Sequence, residues 1–273
     1  MNRPVKADRT VAREKMPEVN RELTSTGHPG VIESRLFSVH PNLRFGVSTR
    51  RGGVSPEPFG MNLSFKVGDD PLLVRQNRDR FFGMLQVPQD RLAVPSQVHG
   101  ATVRVITSPG KYDQCDGLVS SEREIFLAVS VADCLPVFLF DPVTMTVAAV
   151  HAGWRGTRLG ILSNALEILF EVIGSSPENL LAYLGPSAGV CCYEVEEDVA
   201  EQFDPAFVTR RSGNKPHLDL KTANKAVLTN LGVPDPNIEV SADCTICNPA
   251  LFHSYRGEGA QSGRMMGVLG LTG

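Results

Sequence analysis

The chain has no long hydrophobic run. No segment reaches the roughly 18–20 apolar residues of a membrane helix, and residues 1–30, which mix charges with Pro, Ser, Thr and Gly, lack the apolar core of a signal peptide. These absences predict a cytoplasmic protein with no membrane partner. In that compartment the six cysteines are expected to be reduced, and their spacing is not that of a small disulfide-linked domain.

The chain also has little excess charge. Its net charge of -3 argues against nucleic acid as the main partner. A hydrophobic content of 42% and a charged content of 21% are typical of globular proteins. No internal repeat or low-complexity linker divides the 273 residues. We therefore expect a flexible N-terminal arm over residues 1–30 and one catalytic unit over residues 31–273, of unknown oligomeric state.

Hydrophobic periodicity predicts strands in runs as well as strands that alternate with helices. This order favours an α+β fold, a single compact domain of mixed β-sheets flanked by helices. The predicted strands are 43–47, 102–107, 125–132, 137–140, 146–150, 180–184, 238–241, 251–255 and 265–271. The predicted helices are 70–85, 159–173 with Gly174 as its stop, 195–203 and 222–231.

Three residues beside predicted strands have the chemistry of metal ligands: His99, Cys134 and His151. A single buried His or Cys is more often a packed core residue. Two imidazoles and one thiolate together, however, form a three-ligand set for zinc, and the open fourth position marks a catalytic rather than a structural site. Separations of 35 and 17 positions do not by themselves predict that the three converge.

Asp133 precedes Cys134 in the chain. It is a candidate catalytic residue, because a carboxylate beside a ligand can orient that ligand or transfer a proton. An acid that caps a turn is an equally good interpretation.

Short motifs in a fixed order follow one another along almost all of the chain beyond the arm, from Leu43 to Leu271. They are Ser48–Arg50 with Val54-Ser55, Met61–Leu63, Val67–Asp69, Asn77-Arg78, Gln97–Gly100, Ala132–Pro136, Val150–Gly156, Gly185–Ser187, Cys192–Val195, Asp219-Leu220, Cys244-Thr245, Phe252–Arg256 and Gly263-Arg264. In these strings the chain resembles the laccase-domain, or YfiH-like, family, also called multicopper polyphenol oxidase-like.

The resemblance implies a fold similar to the catalytic domain of cytotoxic necrotizing factor. It places the family's zinc ligands on His99, Cys134 and His151. It also implies phosphorolysis of adenosine, inosine, guanosine and methylthioadenosine, and deamination of adenosine, with purine nucleosides and phosphate as partners.

Phosphorolysis needs a site for the phosphate anion, and guanidinium groups bind phosphate in a bidentate manner. The candidates are Arg50, Arg51, Arg155, Arg256 and Arg264, although any one of them is more often a surface charge. Arg155 and Arg50 are favoured because each lies in a matching glycine-containing loop.

Two further side chains are candidates for purine contacts. Gln97 could bind a purine edge or orient His99, and the sequence leaves both open. Trp154, the only tryptophan, could stack on a base, but more often such a residue packs in the interior.

Other functions stay open at this stage. A site with two His and one Cys could hold Cu²⁺ as in a copper polyphenol oxidase, but a multicopper cluster needs many imidazoles, and the chain has six His and no His-x-His pair. A cysteine hydrolase with Cys134 as nucleophile is the next alternative, including an enzyme that edits cell-wall precursors bearing a wrong amino acid. A non-enzymatic binding protein, with all four metal positions filled by protein, is the last.

The remaining cysteines give weaker signals. Cys191-Cys192 are adjacent and are predicted to be structural. Cys244 and Cys247 have the spacing of a redox pair or of half a zinc knuckle. The two further ligands of a knuckle are not evident and a thioredoxin-like context is absent, so their pairing is interpreted as incidental. His253 stands where the resemblance implies a second Phe, which bears on local pocket shape.

Overall fold

Short strands and short helices make up the regular structure of the described part of the protein. The computed structural model describes residues 30–210 and 212–273. Its strands are β1 (Val31–Ile32), β2 (Leu43–Ser48), β3 (Leu92–Pro95), β4 (Val103–Val105), β5 (Gly110–Tyr112), β6 (Gly117–Ser120), β7 (Phe126–Val131), β8 (Leu135–Asp141), β9 (Thr146–Ala152), β10 (Leu181–Leu184), β11 (Val208–Thr209), β12 (His217–Leu218), β13 (Ile238–Val240) and β14 (Met265–Leu271). The α-helices are α1 (Arg35–Ser38), α2 (Pro71–Met84), α3 (Trp154–Arg158), α4 (Ile161–Glu167), α5 (Glu197–Ala200), α6 (Leu220–Asn230) and α7 (Tyr255–Glu258).

The strands form two six-stranded sheets and one small ribbon. The first sheet has the order β1-β2-β14-β7-β3-β5, the second has the order β13-β10-β8-β9-β6-β4, and β11 pairs with β12. Each large sheet is mixed: β14 is antiparallel to β2 and β7 while β3 is parallel to β5 and β7. In the second sheet β8 and β9 are antiparallel while β4 and β6 are parallel. The prediction of an α+β fold with mixed sheets is confirmed.

The central strands are apolar on both faces because each sheet is covered on both sides. In β9, Val147 and Ala149 belong to the core between the two sheets. Their neighbours Ala148 and Val150 belong to the core that also contains residues of α4 and α6. On the first sheet, Ala128 of β7 packs with Phe81 and other residues of α2. Side chains alternate between faces along a strand, so this pattern gives four layers: helix, sheet, sheet, helix.

Helix α2 begins where the sequence predicts. The Asp70 side chain accepts a hydrogen bond from the backbone N–H of Leu72 at 2.8 Å, and Pro71 occupies the first helical position. An acid at the cap and a proline without an N–H both suit a helix start, where the first N–H groups lack partners.

Three predicted elements differ from the structure. The helix predicted over 159–173 begins two residues later, because Gly160, with a φ of +79°, separates the short helix α3 from α4. A π-helical turn, Ile168–Ile173, continues α4 and stops at Gly174 as predicted. The helix predicted over 195–203 is limited to α5. The strand predicted over 251–255 is wrong, because the Ser254 side chain accepts a hydrogen bond from Gly257 N–H at 3.0 Å and starts α7 there.

Two predictions concern segments rather than the sheets. No helix in the described ranges is long and apolar enough to cross a membrane. Residues 1–29 of the predicted N-terminal arm, including His28, lie outside the described residues.

Candidate metal centre

The chain crosses from the first sheet to the second at two places near the candidate site. Strand β3 of the first sheet leads through Gln97 and His99 to β4 of the second, and β7 leads through Asp133 and Cys134 to β8. His151 lies near the end of β9, opposite Pro136 of β8. Ligands that are distant in sequence meet because both crossings lie at the same end of the sheets.

The three predicted ligands are close enough to share one ion. One nitrogen from each of His99 and His151 and the sulfur of Cys134 lie within 4.8 Å of one another. The imidazole ring centroids are 4.9 Å apart, at an interplanar angle of 81°. Tetrahedral zinc, with bonds of about 2.3 Å to sulfur and 2.0–2.1 Å to nitrogen, needs donors roughly 3.3–3.6 Å apart. The donor set fits zinc after small side-chain movements.

The three ligands differ in exposure. His151 is buried, Cys134 is half-buried and His99 is exposed. The site therefore opens toward solvent on the His99 side. An ion held by three protein ligands with an accessible fourth position has the arrangement of a catalytic site.

Asp116 holds the site together, although sequence reasoning missed it. Its carboxylate is fully buried and lies 2.9 Å from His151 Nδ1. It also accepts hydrogen bonds from the backbone N–H groups of Val98 (3.0 Å), His99 (2.9 Å) and Gly100 (2.8 Å). One carboxylate thus fixes the loop that carries one ligand and orients the ring of another, as partners behind metal ligands do. In the sequence, Asp116 before Gly117 has only the pattern of a turn.

The same contacts shift the ionisation of the ligands. Burial favours the neutral thiol of Cys134, but the charge and hydrogen bonds of His151 and His99 outweigh it and lower the pKa of Cys134 to about 6. Burial opposes the charge on His151 too, yet Cys134 and Asp116 raise the pKa of His151 to about 9. Burial likewise disfavours the Asp116 carboxylate, but hydrogen bonds from His151 and the backbone lower the pKa of Asp116 overall. Cys134 is therefore held as the thiolate, the form that binds metals.

Asp133 fixes a different set of loops from Asp116. Its Oδ1 accepts a hydrogen bond from the Thr245 hydroxyl at 2.6 Å, and its Oδ2 accepts one from the backbone N–H of Arg256 at 2.6 Å. Its backbone carbonyl accepts a third from Ala188 N–H at 2.9 Å. These contacts are those of a positioning residue for the loop before Cys134.

Strained backbone accompanies the site. Gln97, His99 and Asp133 have φ values of +51°, +60° and +85°, in the left-handed region that residues other than glycine rarely adopt. The Gln97 side chain holds its loop by two hydrogen bonds to Ser130 of β7, accepting from N–H at 2.9 Å and donating to the carbonyl at 2.7 Å. Such strain persists where the surroundings over-determine it, and it concentrates at functional sites.

Gly153 permits the close approach of two ligands. A Cβ atom at this position would lie 2.9 Å from Cys134 Sγ and 3.3 Å from His99 Cδ2. Any larger residue would displace the thiol. Gly153 is also the N-cap of α3. It therefore connects the end of β9, which carries His151, to the helix without placing a side chain beside the ligands.

The candidate arginines have different surroundings. The Arg50 guanidinium is buried and bonded to Glu57 and Glu258 and to two backbone carbonyls. Arg155 is exposed and lies over the Trp154 ring at 4.5 Å. Arg256 lies over the Tyr193 ring at 4.9 Å and donates to the Glu194 carbonyl at 2.7 Å.

The candidate arginines differ in whether a carboxylate neutralises their charge. Neither Arg155 nor Arg256 forms an ion pair within the described ranges. Their charge is available to an anion, whereas that of Arg50 is compensated. Trp154 packs against the small core of Tyr193, Val195 and Leu218.

Comparison with known proteins places the chain in a family. Residues 44–272 match the profile of a family described as multi-copper polyphenol oxidoreductase laccase. The chain belongs to this laccase family.

Relatives of this laccase family carry a different functional name. A Deinococcus radiodurans protein named purine nucleoside phosphorylase is 41% identical over 256 residues, covering 91% of this chain and 95% of its own. The Geobacillus stearothermophilus purine nucleoside phosphorylase YlmD is 34% identical over 82% of this chain and 89% of its own. The crystal structure of YlmD from Geobacillus stearothermophilus superposes with a TM-score of 0.85 at 32% identity, over 91% of this chain and 98% of that one. The predicted family and fold are confirmed.

Proposed function

We propose that the protein is a zinc-dependent purine nucleoside phosphorylase that also deaminates adenosine. The observation that carries the proposal is the meeting of His99, Cys134 and His151 around one open position, in a chain whose relatives are named purine nucleoside phosphorylases. We propose adenosine, inosine, guanosine and methylthioadenosine as the nucleosides and inorganic phosphate as the second substrate.

The donor set favours zinc as the ion of the site. Two imidazoles and a thiolate are ligands that zinc prefers, and three protein ligands leave one position free. When bound, zinc supplies a Lewis acid that polarises an oxygen ligand and lowers the pKa of bound water to about 7. The chain contributes the preformed thiolate of Cys134, and the Asp116 carboxylate holds His151 with its other ring nitrogen toward the ligand cluster.

Phosphorolysis joins a phosphate oxygen to C1′ of the ribose as the bond from C1′ to purine N9 breaks, and the leaving base takes up a proton. The dianion needs positive charge and aligned donors. Arg155 and Arg256 are the proposed phosphate ligands because both guanidinium groups are uncompensated and held against aromatic rings. Arg50 stays a prediction, since its guanidinium is bonded to two carboxylates.

The proposed substrate residues include Gln97 in a supporting role. Its amide oxygen and nitrogen are both bonded to Ser130, which supports the interpretation that it positions the His99 loop rather than reading a purine edge. Asp133 is proposed to act similarly on the Cys134 loop through Thr245 and Arg256.

The test uses purified, zinc-loaded protein. With inosine and phosphate we expect hypoxanthine and ribose 1-phosphate; with adenosine alone we expect inosine and ammonia. Cys134→Ser and His151→Ala should lose both reactions by at least about 100-fold, whereas the matched control Cys115→Ser, a buried cysteine whose thiol is not among the proposed ligands, should retain them. Folded, zinc-loaded protein that forms none of these products would refute the proposal.

One observation favours a second candidate, a cysteine hydrolase. Cys134, His151 and Asp116 form a thiolate, imidazole and carboxylate series in which the thiol pKa is about 6, and this is the activation a cysteine nucleophile needs. An amide or ester, such as a cell-wall precursor bearing a wrong amino acid, would be its substrate. Hydrolysis that survives complete chelation of metal would favour this candidate over zinc chemistry.

A further inference from the structure

Four cysteines that the proposed reaction does not use lie in two adjacent turns. Cys191 and Cys192 follow Gly189, whose carbonyl accepts hydrogen bonds from the N–H groups of Cys192 and Tyr193, both at 2.9 Å. Cys244 and Cys247 lie in a second turn, in which the Cys244 carbonyl accepts from Asn248 N–H at 3.2 Å. Each turn brings its two cysteines to the same side.

The two turns are joined side by side. Ser187 pairs with Cys244 in a parallel bridge, and Thr245 N–H donates to the Ser187 carbonyl at 3.0 Å. A zinc knuckle needs a second pair of ligands, which the sequence does not reveal. In the structure the pair that lies beside Cys244 and Cys247 is Cys191-Cys192.

The four sulfurs meet at one point. All lie within 4.8 Å of one another, with Cys247 Sγ at 3.2 Å from Cys191 Sγ and 3.1 Å from Cys192 Sγ. Four thiolates around one tetrahedral zinc, at bonds of about 2.3 Å, are separated by roughly 3.8 Å. A cluster of several irons spreads its cysteines over different metal atoms, so the compact set suits a single ion.

We propose that Cys191, Cys192, Cys244 and Cys247 form a second metal site, a structural zinc site with four thiolate ligands. Its ligand set is closed, in contrast to the open set at His99, Cys134 and His151, because no position is left for water or substrate. The two sites share no residue.

The surroundings suit a negatively charged cluster of four thiolates around zinc. The backbone N–H of Gly189 donates to Cys244 Sγ at 3.2 Å, and such bonds stabilise thiolate ligands. A Cβ at Gly189 would lie 3.1 Å from Cys244 Cβ and 3.3 Å from Cys191 Sγ, so glycine lets the turn close on the sulfurs without crowding them. The ammonium of Lys221, held by the carbonyls of Ser241 and Asp243 at 2.8 and 2.5 Å, lies close enough for its charge to act on Cys244 and Cys191.

The site would stabilise one wall of the proposed active site. Thr245, in the turn between Cys244 and Cys247, donates its hydroxyl to Asp133, the residue before Cys134. Tyr193, next to Cys192, carries the Arg256 guanidinium on its ring. A zinc ion in the cysteine cluster therefore fixes the loops that position Asp133 and Arg256.

The experiment counts zinc in the full-length protein, purified under reducing conditions and loaded with zinc, by elemental mass spectrometry. We expect two zinc ions per chain in the wild type and in Cys115→Ser, the control for loss of one buried thiol. Cys191→Ser/Cys247→Ser should retain one, and Cys134→Ser/His151→Ala should retain the other. In Cys134→Ser/His151→Ala the cysteine cluster is the zinc site that remains, so zinc X-ray absorption on this variant should show four sulfurs at about 2.3 Å from the ion.

A second measurement tests the proposal even if the cluster variant Cys191→Ser/Cys247→Ser fails to fold. In Cys134→Ser/His151→Ala, a large excess of free zinc should raise the thermal midpoint by roughly 5–10 °C, since an ion that binds only the folded state stabilises it. One zinc in the wild type that is lost with Cys134 and His151 would overturn the proposal, as would a disulfide among these four cysteines in the anaerobically purified protein. These outcomes are independent of phosphorylase activity, so they leave the proposed function untouched.

Discussion

A single carboxylate links two of the three candidate ligands. Asp116 bonds the His151 ring and three consecutive backbone N–H groups of the His99 loop. A carboxylate accepts hydrogen bonds at both oxygens, whereas an amide in the same place presents an NH₂ group to one set of N–H donors. The geometry at the site should therefore depend on the charge and shape of this one side chain.

Asp116→Asn should weaken zinc binding by about 10–100-fold. The new NH₂ group would face backbone N–H donors in the His99 loop, so hydrogen bonds there would be lost, and His151 would lose its ionic partner. A competitive titration with a chromophoric chelator, on a background without the cysteine cluster, measures the change. Asp113→Asn is the matched control, because Asp113 is exposed and its ion pair is with the exposed Lys111; equal affinity in the two variants would contradict the role of Asp116.

Cys134 should react as a thiolate well below the usual pH in the metal-free protein. With the pKa of Cys134 lowered to about 6, the rate of alkylation by iodoacetamide should rise with pH around a midpoint near 6, against about 8.5 for an unperturbed thiol. Peptide mapping by mass spectrometry follows this residue alone. Loss of the imidazole in His151→Ala should move the midpoint upward, and a wild-type midpoint above 8 would contradict the pairing.

His253 is a buried histidine without a hydrogen-bond partner in the described ranges. Its ring packs against Gly263, and burial, with the charges of Arg50 and Arg264, lowers its pKa to about 3. His253→Phe should raise the free energy of unfolding by about 1 kcal/mol, because unsatisfied buried polar atoms are removed. Denaturant unfolding measures this.

His217→Phe is the control for that substitution. His217 Nδ1 lies 2.7 Å from the Val190 carbonyl, so the phenyl ring would leave a carbonyl unpaired and destabilise the fold by about 1 kcal/mol. Equal destabilisation by the two substitutions would show that the buried His253 ring is not an unsatisfied polar group.

At the residue scale, the candidate metal ligands could be predicted from the sequence, but the residue that positions them through hydrogen bonds could not. His99, Cys134 and His151 could be chosen because a two-His, one-Cys set has a definite chemistry. Asp116 could not, since an Asp before Gly117 is common in turns and its role arises from contacts with residues 16 to 35 positions away.

At the scale of elements, the connection between β9 and α3 has room only for a small residue at position 153. Gly153→Ala should place a methyl group 2.9 Å from Cys134 Sγ, displace the thiol and lower zinc affinity by at least tenfold without unfolding the protein. Calorimetric titration of zinc measures the affinity, and circular dichroism checks the fold.

Gly83→Ala is the matched control, because Gly83 is exposed in α2 with nothing near its added Cβ. It should leave zinc affinity unchanged and stabilise the protein by about 0.5–1 kcal/mol through helix propensity. Unchanged affinity in Gly153→Ala would show that the close approach does not matter for the ion.

Elements with strong local signals could be predicted, and those defined by tertiary contacts could not. Asp70-Pro71 marked the start of α2 and Gly174 marked a helix stop. The strand predicted over 251–255 failed because the consecutive residues Phe252, His253 and Ser254 are all buried, which is the pattern of a packed loop rather than of a strand with alternating faces. The cysteine turns were not foreseen, since their meeting depends on the bridge between Ser187 and Cys244.

At the scale of the molecule, the site lies where the chain twice crosses from one sheet to the other. One crossing carries His99 and the other carries Cys134, while His151 belongs to the second sheet. Mixed sheets could be predicted from the order of strands and helices. Their strand order could not, because neighbours such as β14 and β2 are separated by most of the chain.

A crystal structure of the zinc-loaded protein with anomalous data at the zinc edge tests directly whether His99, Cys134 and His151 share one ion. We expect an anomalous peak bonded to Cys134 Sγ and to one nitrogen each of His99 and His151, with a non-protein oxygen in the fourth position. A peak with a fourth protein ligand, or no peak between these three side chains at full zinc loading, would contradict this expectation.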